Sequence, residues 1–346
     1  MKKKIISYIM MILMIITLNG CAPTNNQVAY TVYPVGYILQ RVAGNSIKPV
    51  SIQDDSLIQR ARLKDDYKEI LTNSNLYLHI GQLEPYSATH GAEINKLISS
   101  QIDLSSLNAI YTFKRYTPVL TDGDITYVEG PYYKGDEFNM IDVNAKDLNL
   151  WLDPIAMLSM SKDIRDWLIA KYPDDKSVFE SNYKALETDL VRIDAAYQSL
   201  ATKVASSNKE IKFVSMIASF GNWQKTYGFQ VYPVILSKFG ALPNDEQLDL
   251  IKTRIKNDNV KYIVYEPNMT PDMIELFNNL EEELKLTRVE LSNLSSLTQS
   301  QKNDGKDYIS IMYENLSVLE TMAKERDVLK PIQDDIEEAN PEEVVQ

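Results

Sequence analysis

Residues Val178 to Val204, VFESNYKALETDLVRIDAAYQSLATKV, contain neither Gly nor Pro. Phe179, Tyr183, Leu186, Leu190, Ile193, Tyr197 and Leu200 recur at spacings of three and four, the signature of one amphipathic helix. At 1.5 Å per residue such a helix spans roughly 40 Å, the width of a whole domain. The segments on either side alternate short apolar runs with helix-spaced stretches. An uninterrupted rod between two such regions reads as a rigid connector, not a flexible linker.

On its N-terminal side, Val28 to Tyr33 reads as a buried strand ended by Pro34, and Val35 to Val42 has helical spacing closed by Gly44. Lys48 to Ile52 is a second strand. Strand, helix and strand within about 25 residues argue for a parallel sheet. A helix over Tyr67 to Asn73 leads into a strand from Asn75 to Ile80 that stops at Gly81, and Ile94 to Ser99 is helical again. Between Ala109 and Lys146 Thr, Tyr, Gly and Asp dominate, which predicts short strands and a long loop. Pro154 suits a first helical position ahead of Ile155 to Tyr172, and Pro173-Asp174-Asp175 punctuates, with Asp175 or Asp174 able to cap.

Beyond the rod a second α/β unit follows. Strands are expected at Ile211 to Met216, Gln230 to Val234 and Val260 to Tyr265, the last ending at Glu266-Pro267. Helices are expected at Trp223 to Tyr227 before Gly228, at Asp245 to Lys256, at Met273 to Leu284 and at Asp307 to Arg326. The fold class is α/β: two α/β lobes with parallel sheets joined by one long connecting helix. The expected divisions are a leader over 1–21, an N-terminal lobe over 22–153, a helical connector over 154–207, a C-terminal lobe over 208–328 and an acidic, disordered tail over 329–346.

Lys2, Lys3 and Lys4, the apolar run from Ile5 to Leu18 and Leu18-Asn19-Gly20-Cys21 form a basic region, a short apolar core and a small residue before a cysteine. That is a secretory signal of the lipoprotein type, with Cys21 as the lipidated residue and an extracytoplasmic, membrane-anchored product. Formal net charge is −12. An acidic body has no reason to bind nucleic acid or anionic lipid surfaces, so only the lipid is expected to hold it to the membrane. Cys21 is the one cysteine, which excludes disulfides, thiolate metal sites and cysteine nucleophiles. His79 and His90 are the only histidines. With no Gly-rich phosphate loop and no Ser–His pairing, no enzyme, and no cofactor, is expected. A monomer is expected.

These pieces together resemble the zinc- and manganese-type metal-uptake class of ABC-transporter substrate-binding lipoproteins. Tyr33-Pro34 and the helix to Ala43-Gly44 resemble the family's opening, and Ser74-Asn75-Leu76 through Gly81 and Glu84 resemble its next strand and turn. Trp151-Leu152-Asp153-Pro154 matches the end of the family's Asp-Pro-His-x-Trp-Leu-Asp-Pro motif. Phe220-Gly221 through Tyr227-Gly228 and Tyr265-Glu266-Pro267 resemble two later segments. The resemblance implies two lobes bridged by one long helix, and an ABC permease and ATPase as partners.

The family's metal ligands, three His and one carboxylate, do not carry over. By the resemblance their positions fall on Gln59, on Asn149, on Ile217 with Met216 as the neighbouring possibility, and on Ser292 or Asn293. Amide oxygens are weak ligands for zinc, and an isoleucine has no lone pair. No metal ligand is therefore assigned. The expected ligand cleft is lined by Tyr33, Gln59, Asn149, Trp151, Ile217 and Ser292. Uncharged polar groups with an aromatic wall suit a small organic molecule or a metal already held in a chelator. The alternatives are an adhesin or scaffold lipoprotein without a transport role, or metal retained by non-standard ligands. His79, within an apolar strand, is expected to be a satisfied core or edge residue. Asp122, Asp124, Glu129, Asp136, Glu137 and Asp142, around Tyr127, Tyr132 and Tyr133, are expected to form a solvated acidic loop.

Overall fold

The computed structural model describes residues 26–106, 111–112, 115–121, 124–130, 133, 136–138 and 146–325. Cys21 and the tail over 329–346 lie outside these residues, as do Asp122, Tyr132 and Asp142 of the acidic loop.

In the N-terminal lobe β1 (Gln27–Tyr30) leads to α1 (Tyr33–Ala43) and β2 (Lys48–Ser51). Then come α2 (Tyr67–Thr72), β3 (Leu76–His79), α3 (Ser87–Leu97) and β4 (Gln101–Asp103). The four strands form one parallel sheet in the order β2-β1-β3-β4. Val28, Ala29, Leu76 and Leu78 are fully buried, as central strands covered on both faces require. After β4 come the short strand β5 (Tyr111–Thr112), a hairpin of β6 (Arg115–Thr121) and β7 (Asp124–Gly130), and β8 (Lys146–Asp147), which pairs with β5.

Two helices join the lobes. In α4 (Pro154–Lys171), Pro154 stands at the start, and Asp153 Oδ1 accepts from Ile155 N at 2.9 Å and Ala156 N at 3.2 Å. The rod itself is α5 (Lys176–Ser206), 31 residues and so about 46 Å long. It buries Phe179, Leu186, Leu190, Ile193, Tyr197, Leu200 and Val204 against α4, α1 and the C-terminal lobe. Two details differ from expectation. Neither Asp174 nor Asp175 caps α5 through its side chain, because Pro173–Asp175 forms a 3-10 turn that runs straight into the helix. Tyr183 is only half-buried and lies under the Arg165 guanidinium at 4.3 Å from its ring centroid.

The C-terminal lobe repeats the N-terminal plan. Its elements are β9 (Lys209–Glu210), β10 (Lys212–Ile217), α6 (Gly221–Tyr227), β11 (Gln230–Ile235), α7 (Asp245–Asn257), β12 (Tyr262–Tyr265), α8 (Pro271–Leu284), β13 (Thr287–Glu290), α9 (Gln299–Asn303), α10 (Tyr308–Met322) and β14 (Lys324–Glu325). Strand order is β11-β10-β12-β13, again parallel. In each sheet the chain first steps outward to one side and then returns to the other. Each lobe therefore has a topological switch point, between β1 and β3 and between β10 and β12. Crevices for ligands form outside the carboxyl ends of the strands at such points.

The edge strands β4 and β13 were not legible in the sequence. β13 is exposed at Thr287, Arg288 and Glu290, and β4 is half-buried throughout, so neither shows an apolar period. The helix expected from Ile94 starts at Ser87, because only Ile94 in it is buried and the polar first turns carry no stripe. The last helix stops at Met322, and Lys324 and Glu325 turn away to pair with β9. No helix among the described residues is long and apolar enough to cross a membrane.

Candidate functional site

The seam between the lobes is built on residues 147–153. Trp151 is fully buried, and its Nε1 donates to Asn293 O at 2.6 Å while its own carbonyl accepts from Tyr308 Oη at 2.6 Å. Trp223 Nε1 donates to Leu152 O at 2.9 Å, and Thr226 Oγ1 donates to Asp153 Oδ2 at 3.1 Å. One short stretch thus ties the end of the N-terminal lobe, the start of α4, α6 and α10 together. Each bond joins residues more than 70 positions apart, so these tertiary contacts add to the helical connection between the lobes.

Asp147 sets the geometry just upstream. Its Oδ1 accepts from Asn149 N at 3.0 Å and from Asn149 Nδ2 at 2.8 Å, and its Oδ2 accepts from Asn222 N at 2.7 Å, at the first turn of α6. Asn222 Nδ2 returns to Asn149 O at 3.2 Å. Asp147 is fully buried, and burial pushes its carboxyl up to about 7, opposed by these donors. Asn149 is also fully buried, and its Oδ1 has no partner.

Across the seam, Glu266 follows β12. Its Oε1 accepts from Met216 N at 3.1 Å and Ile217 N at 3.3 Å, and its Oε2 accepts from Ser219 Oγ at 3.0 Å and Asn293 Nδ2 at 3.0 Å. It thereby locks the carboxyl end of β10 at the C-terminal switch point. Burial raises this carboxyl as well, to about 7. The N-terminal switch point carries its own buried carboxylate, Glu84, whose Oε1 has no partner and whose carboxyl burial likewise pushes up to about 7. Thr31, one residue past β1, is nearly fully buried, and its hydroxyl faces Glu84 and opposes that rise. Each lobe therefore keeps a fully buried glutamate where its strand order reverses.

Gln59 and Arg60 lie on a 3-10 turn of the N-terminal lobe, Ile58–Arg60, that meets the C-terminal lobe. Arg60 Nη2 donates to Gly240 O at 2.9 Å and to Asp272 Oδ2 at 2.8 Å. Gly240 has φ +67°, and a Cβ there would stand 3.2 Å from Gln59 Cβ, so this close approach requires glycine. Gln59 is 5% exposed and its Oε1 has no partner.

The structure places the other expected cleft residues as follows. Ile217 is fully buried at the end of β10, and Ser292 is nearly so, its Oγ accepting from Leu294 N at 3.1 Å. Tyr33 is half-buried; its N donates to Ser295 O at 3.1 Å, and its ring packs 6.2 Å from that of Tyr37, which in turn meets Tyr308. Trp151 acts as a staple between lobes, with its one polar group spent on Asn293. His79 Nδ1 lies 3.1 Å from Gly81 O and its ring stacks on Tyr77, while His90 pairs with Glu93 at 3.6 Å on the surface. Among the described residues no group of three or more His, Cys, Asp or Glu is placed to hold a metal ion. The acidic stretch also docks in part. Tyr133 Oη donates to Pro233 O at 2.8 Å, Tyr133 stacks on Phe138, and Gln247 Nε2 donates to Glu137 O at 2.8 Å.

Sequence reasoning passed over Asp147, Arg60 and Asn222. The Asp147-x-Asn149 spacing was a usable local signal for a carboxylate that orients its neighbour. Nothing local marks Arg60, whose partners are 180 and 212 residues away. A separate surface hollow of about 480 Å³, lined by Leu248, Lys252, Leu276 and Glu283, lies between α7 and α8 and shares no residue with the seam.

Residues 28–322 match the protein family described as zinc-uptake complex component A, periplasmic. The zinc-binding lipoprotein AdcA of Streptococcus pneumoniae is 30% identical over 204 residues, 59% of this chain and 39% of that protein. The high-affinity zinc uptake system protein ZnuA of Bacillus subtilis is 28% identical over 176 residues, 51% of this chain and 53% of its own length. This chain thus spans between a third and about half of the curated relatives it matches. Among solved structures, the periplasmic zinc-binding protein TroA from Treponema pallidum superposes with a TM-score of 0.65 at 14% identity, covering 86% of this chain and 98% of TroA. At that identity the likeness shows the fold.

Proposed function

This chain belongs to the zinc-uptake complex component A family, and we propose that it is the extracytoplasmic solute-binding subunit of an ABC importer, anchored through lipid on Cys21. Its partners are then a membrane permease and an ATPase. The ligand sits in the seam between the two switch points, bounded by Gln59, Asn149, Ile217 and Ser292.

The observation that carries this reading is the pair of buried, unpartnered amide oxygens at Gln59 and Asn149. A buried polar atom without a partner costs free energy, about 1–3 kcal/mol each, unless something supplies the missing hydrogen bond. A cleft that closes around a solute leaves such atoms when the solute is absent.

Zinc is the cargo named for AdcA and ZnuA. In this chain the positions that the resemblance assigns to the ligands offer two amides, a hydroxyl and an apolar side chain, and the carboxylates beside them, Asp147 and Glu266, are spent on donors of the protein. The ligand is accordingly a small organic molecule or a metal already enclosed in a chelator. Native mass spectrometry of the protein purified from its own host tests this, alongside thermal melts in Zn²⁺ and Mn²⁺. A ligand at 100 times Kd stabilises by about 2.7 kcal/mol, a shift of a few degrees. The expected result is a bound small molecule and no upshift in micromolar Zn²⁺ or Mn²⁺. An upshift lost on mutating Asn149 would sink the reading that bare metal is not the ligand.

A further inference from the structure

The C-terminal lobe carries an apolar groove on the face away from α5 and α6. The crossovers β11-α7-β12 and β12-α8-β13 run in the same direction across the sheet, so their right hand puts both helices on one face. Between them lies the hollow of about 480 Å³, floored by Leu248 of α7 and by Leu276 and Leu280 of α8. A second hollow of about 150 Å³, lined by Ile255, Lys256, Val260 and Leu284, continues it toward the C-terminal ends of both helices. Leu248, Lys252 and Ile255 share one face of α7, and Leu276, Leu280 and Leu284 one face of α8. The two hollows are therefore one groove, about 12 Å long from Leu276 to Leu284. Leu248, Leu276 and Leu284 are only partly buried, and Lys252 spans the groove to Glu283 at 2.5 Å.

The chain leaves the described structure beside the lower mouth of this groove. β14 ends at Glu325, paired with Lys209 just ahead of β10, at the edge of the sheet where its strands begin. A crossover helix returns from the end of one strand to the start of the next, so α7 and α8 finish at that same edge. Two bonds fix the neighbourhood. Lys212 Nζ donates to Asp258 O, just past α7, at 3.1 Å, and Tyr262 Oη donates to Thr321 O at 3.4 Å.

Residues 326–346 follow, RDVLKPIQDDIEEANPEEVVQ. Pro331 suits a first helical position, and Ile332 and Ile336 stand four apart, the spacing of Leu276, Leu280 and Leu284. Residues 326–332 reach about 23 Å when extended, more than the length of the groove. Asp334, Asp335, Glu337 and Glu338 are acidic, while Lys256 and Lys261, which line the lower hollow, have no ion pair among the described residues. A tethered segment meets such a groove at an effective concentration in the millimolar range, which favours the chain's own tail over a foreign acidic peptide.

We propose that residues 329–338 of this chain dock in the groove between α7 and α8, with Ile332 and Ile336 on the leucine floor and the acidic residues beside Lys256 and Lys261. The lobe thereby covers its own apolar face, and a segment whose composition alone predicts disorder becomes ordered on contact. This docking does not depend on which solute the seam holds.

The test cross-links an equimolar mixture of unlabelled and ¹⁵N-labelled full chain with a carbodiimide, which joins a lysine to a carboxylate only where the two touch. Mass spectrometry is expected to find links from Lys256 or Lys261 to the carboxylates of 334–338, each within one isotopic form. The Lys302–Asp55 pair, which bridges the lobes, is the control for an intact fold. Ile332→Ser combined with Ile336→Ser keeps every carboxylate. It is expected to lower the yield of the tail links by about tenfold or more, because the apolar burial is gone, and to leave the control link unchanged. Leu276→Asp in the groove is expected to do the same; should it fail to fold, the tail variant decides alone. Links that join the two isotopic forms would mean that a second copy fills the groove, which overturns the proposal. Links that persist in the tail variant overturn it as well, since charge alone then makes the contact. So does a control link without any tail link, which leaves the groove to another protein.

Discussion

Asp147 holds Asn149 from two directions, one carboxylate oxygen accepting from both the backbone N and the side-chain Nδ2 of the residue two positions on. The other oxygen receives the first turn of α6 from the opposite lobe. One buried carboxylate thus fixes both an amide orientation and the distance between lobes. Asp147→Asn would set an NH₂ group against donors on at least one side. The expected loss is about 2–4 kcal/mol, from two buried donors left unpaired. The urea midpoint measures it, and a midpoint within error of the parent would mean that these bonds do not hold the seam.

Glu84 and Glu266 occupy corresponding places in the two lobes but differ in satisfaction. Glu266 accepts from four donors, whereas Glu84 Oε1 accepts from none. Burial raises the Glu84 carboxyl from its usual 4.5 to about 7. A folded pKa above the unfolded value means that the folded state holds the proton more tightly. The stabilisation is complete below about pH 4.5 and is lost as pH rises through about 7, a swing of up to roughly 3 kcal/mol. Tm should therefore fall between pH 5 and pH 8 more steeply in the parent than in Glu84→Gln. Glu266→Gln should be costly at every pH, because its amide nitrogen faces N–H or O–H donors on either side. Parallel slopes for the parent and Glu84→Gln would show that this carboxyl does not titrate with folding.

The rod was legible because its signal is local and long: a stripe of seven apolar residues with no breaker. Two helix stops were legible from a local signal as well. Gly44 and Gly228 sit at helix ends with φ of +56° and +74°, where a side chain is strained. The edge strands β4 and β13 were missed because half-exposed strands lack an apolar period. The candidate site was legible only as a set of positions. Its geometry depends on pairs such as Trp151 with Asn293 and Gln59 with Gly240, and no local pattern announces a partner 142 or more residues away. Trp151 illustrates the difference: the sequence offered it as a cleft wall, while its indole N–H is engaged in joining the lobes.

Cys21 lies before the described residues, and its role rests on Leu18-Asn19-Gly20-Cys21 behind a basic and apolar segment. A single acyl chain gives marginal membrane binding, and two or more make a stable anchor. Cys21→Ala is expected to abolish acylation and release or strand the product. Labelling with a clickable palmitate analogue in the native host reads this directly. Label retained on Cys21→Ala would overturn the assignment.

Ligand-driven movement is constrained by α5. A helix of 31 residues without Gly or Pro, packed on α1 and α4 and reaching α10 and α6, cannot hinge at its centre. Closure must then be a small tilt of one lobe, absorbed where the lobes meet. Those places are the turn Ile58–Arg60 against Gly240, the docked Tyr133 and Phe138, and residues 147–151 against α6. The Arg60–Asp272 pair is partly exposed and worth at most about 1 kcal/mol. It can therefore open and close without a large barrier. Hydrogen exchange with and without the co-purified ligand is the measurement. Protection is expected to rise at 58–60, 121–151 and 216–223 on binding, while 178–204 stays slow in both states. Arg60→Ala is expected to speed exchange at 58–60 in the unliganded protein and to leave the helix unchanged. Fast exchange at the middle of α5, or no change at 121–151 under saturating ligand, would show that the lobes move by some route other than this seam.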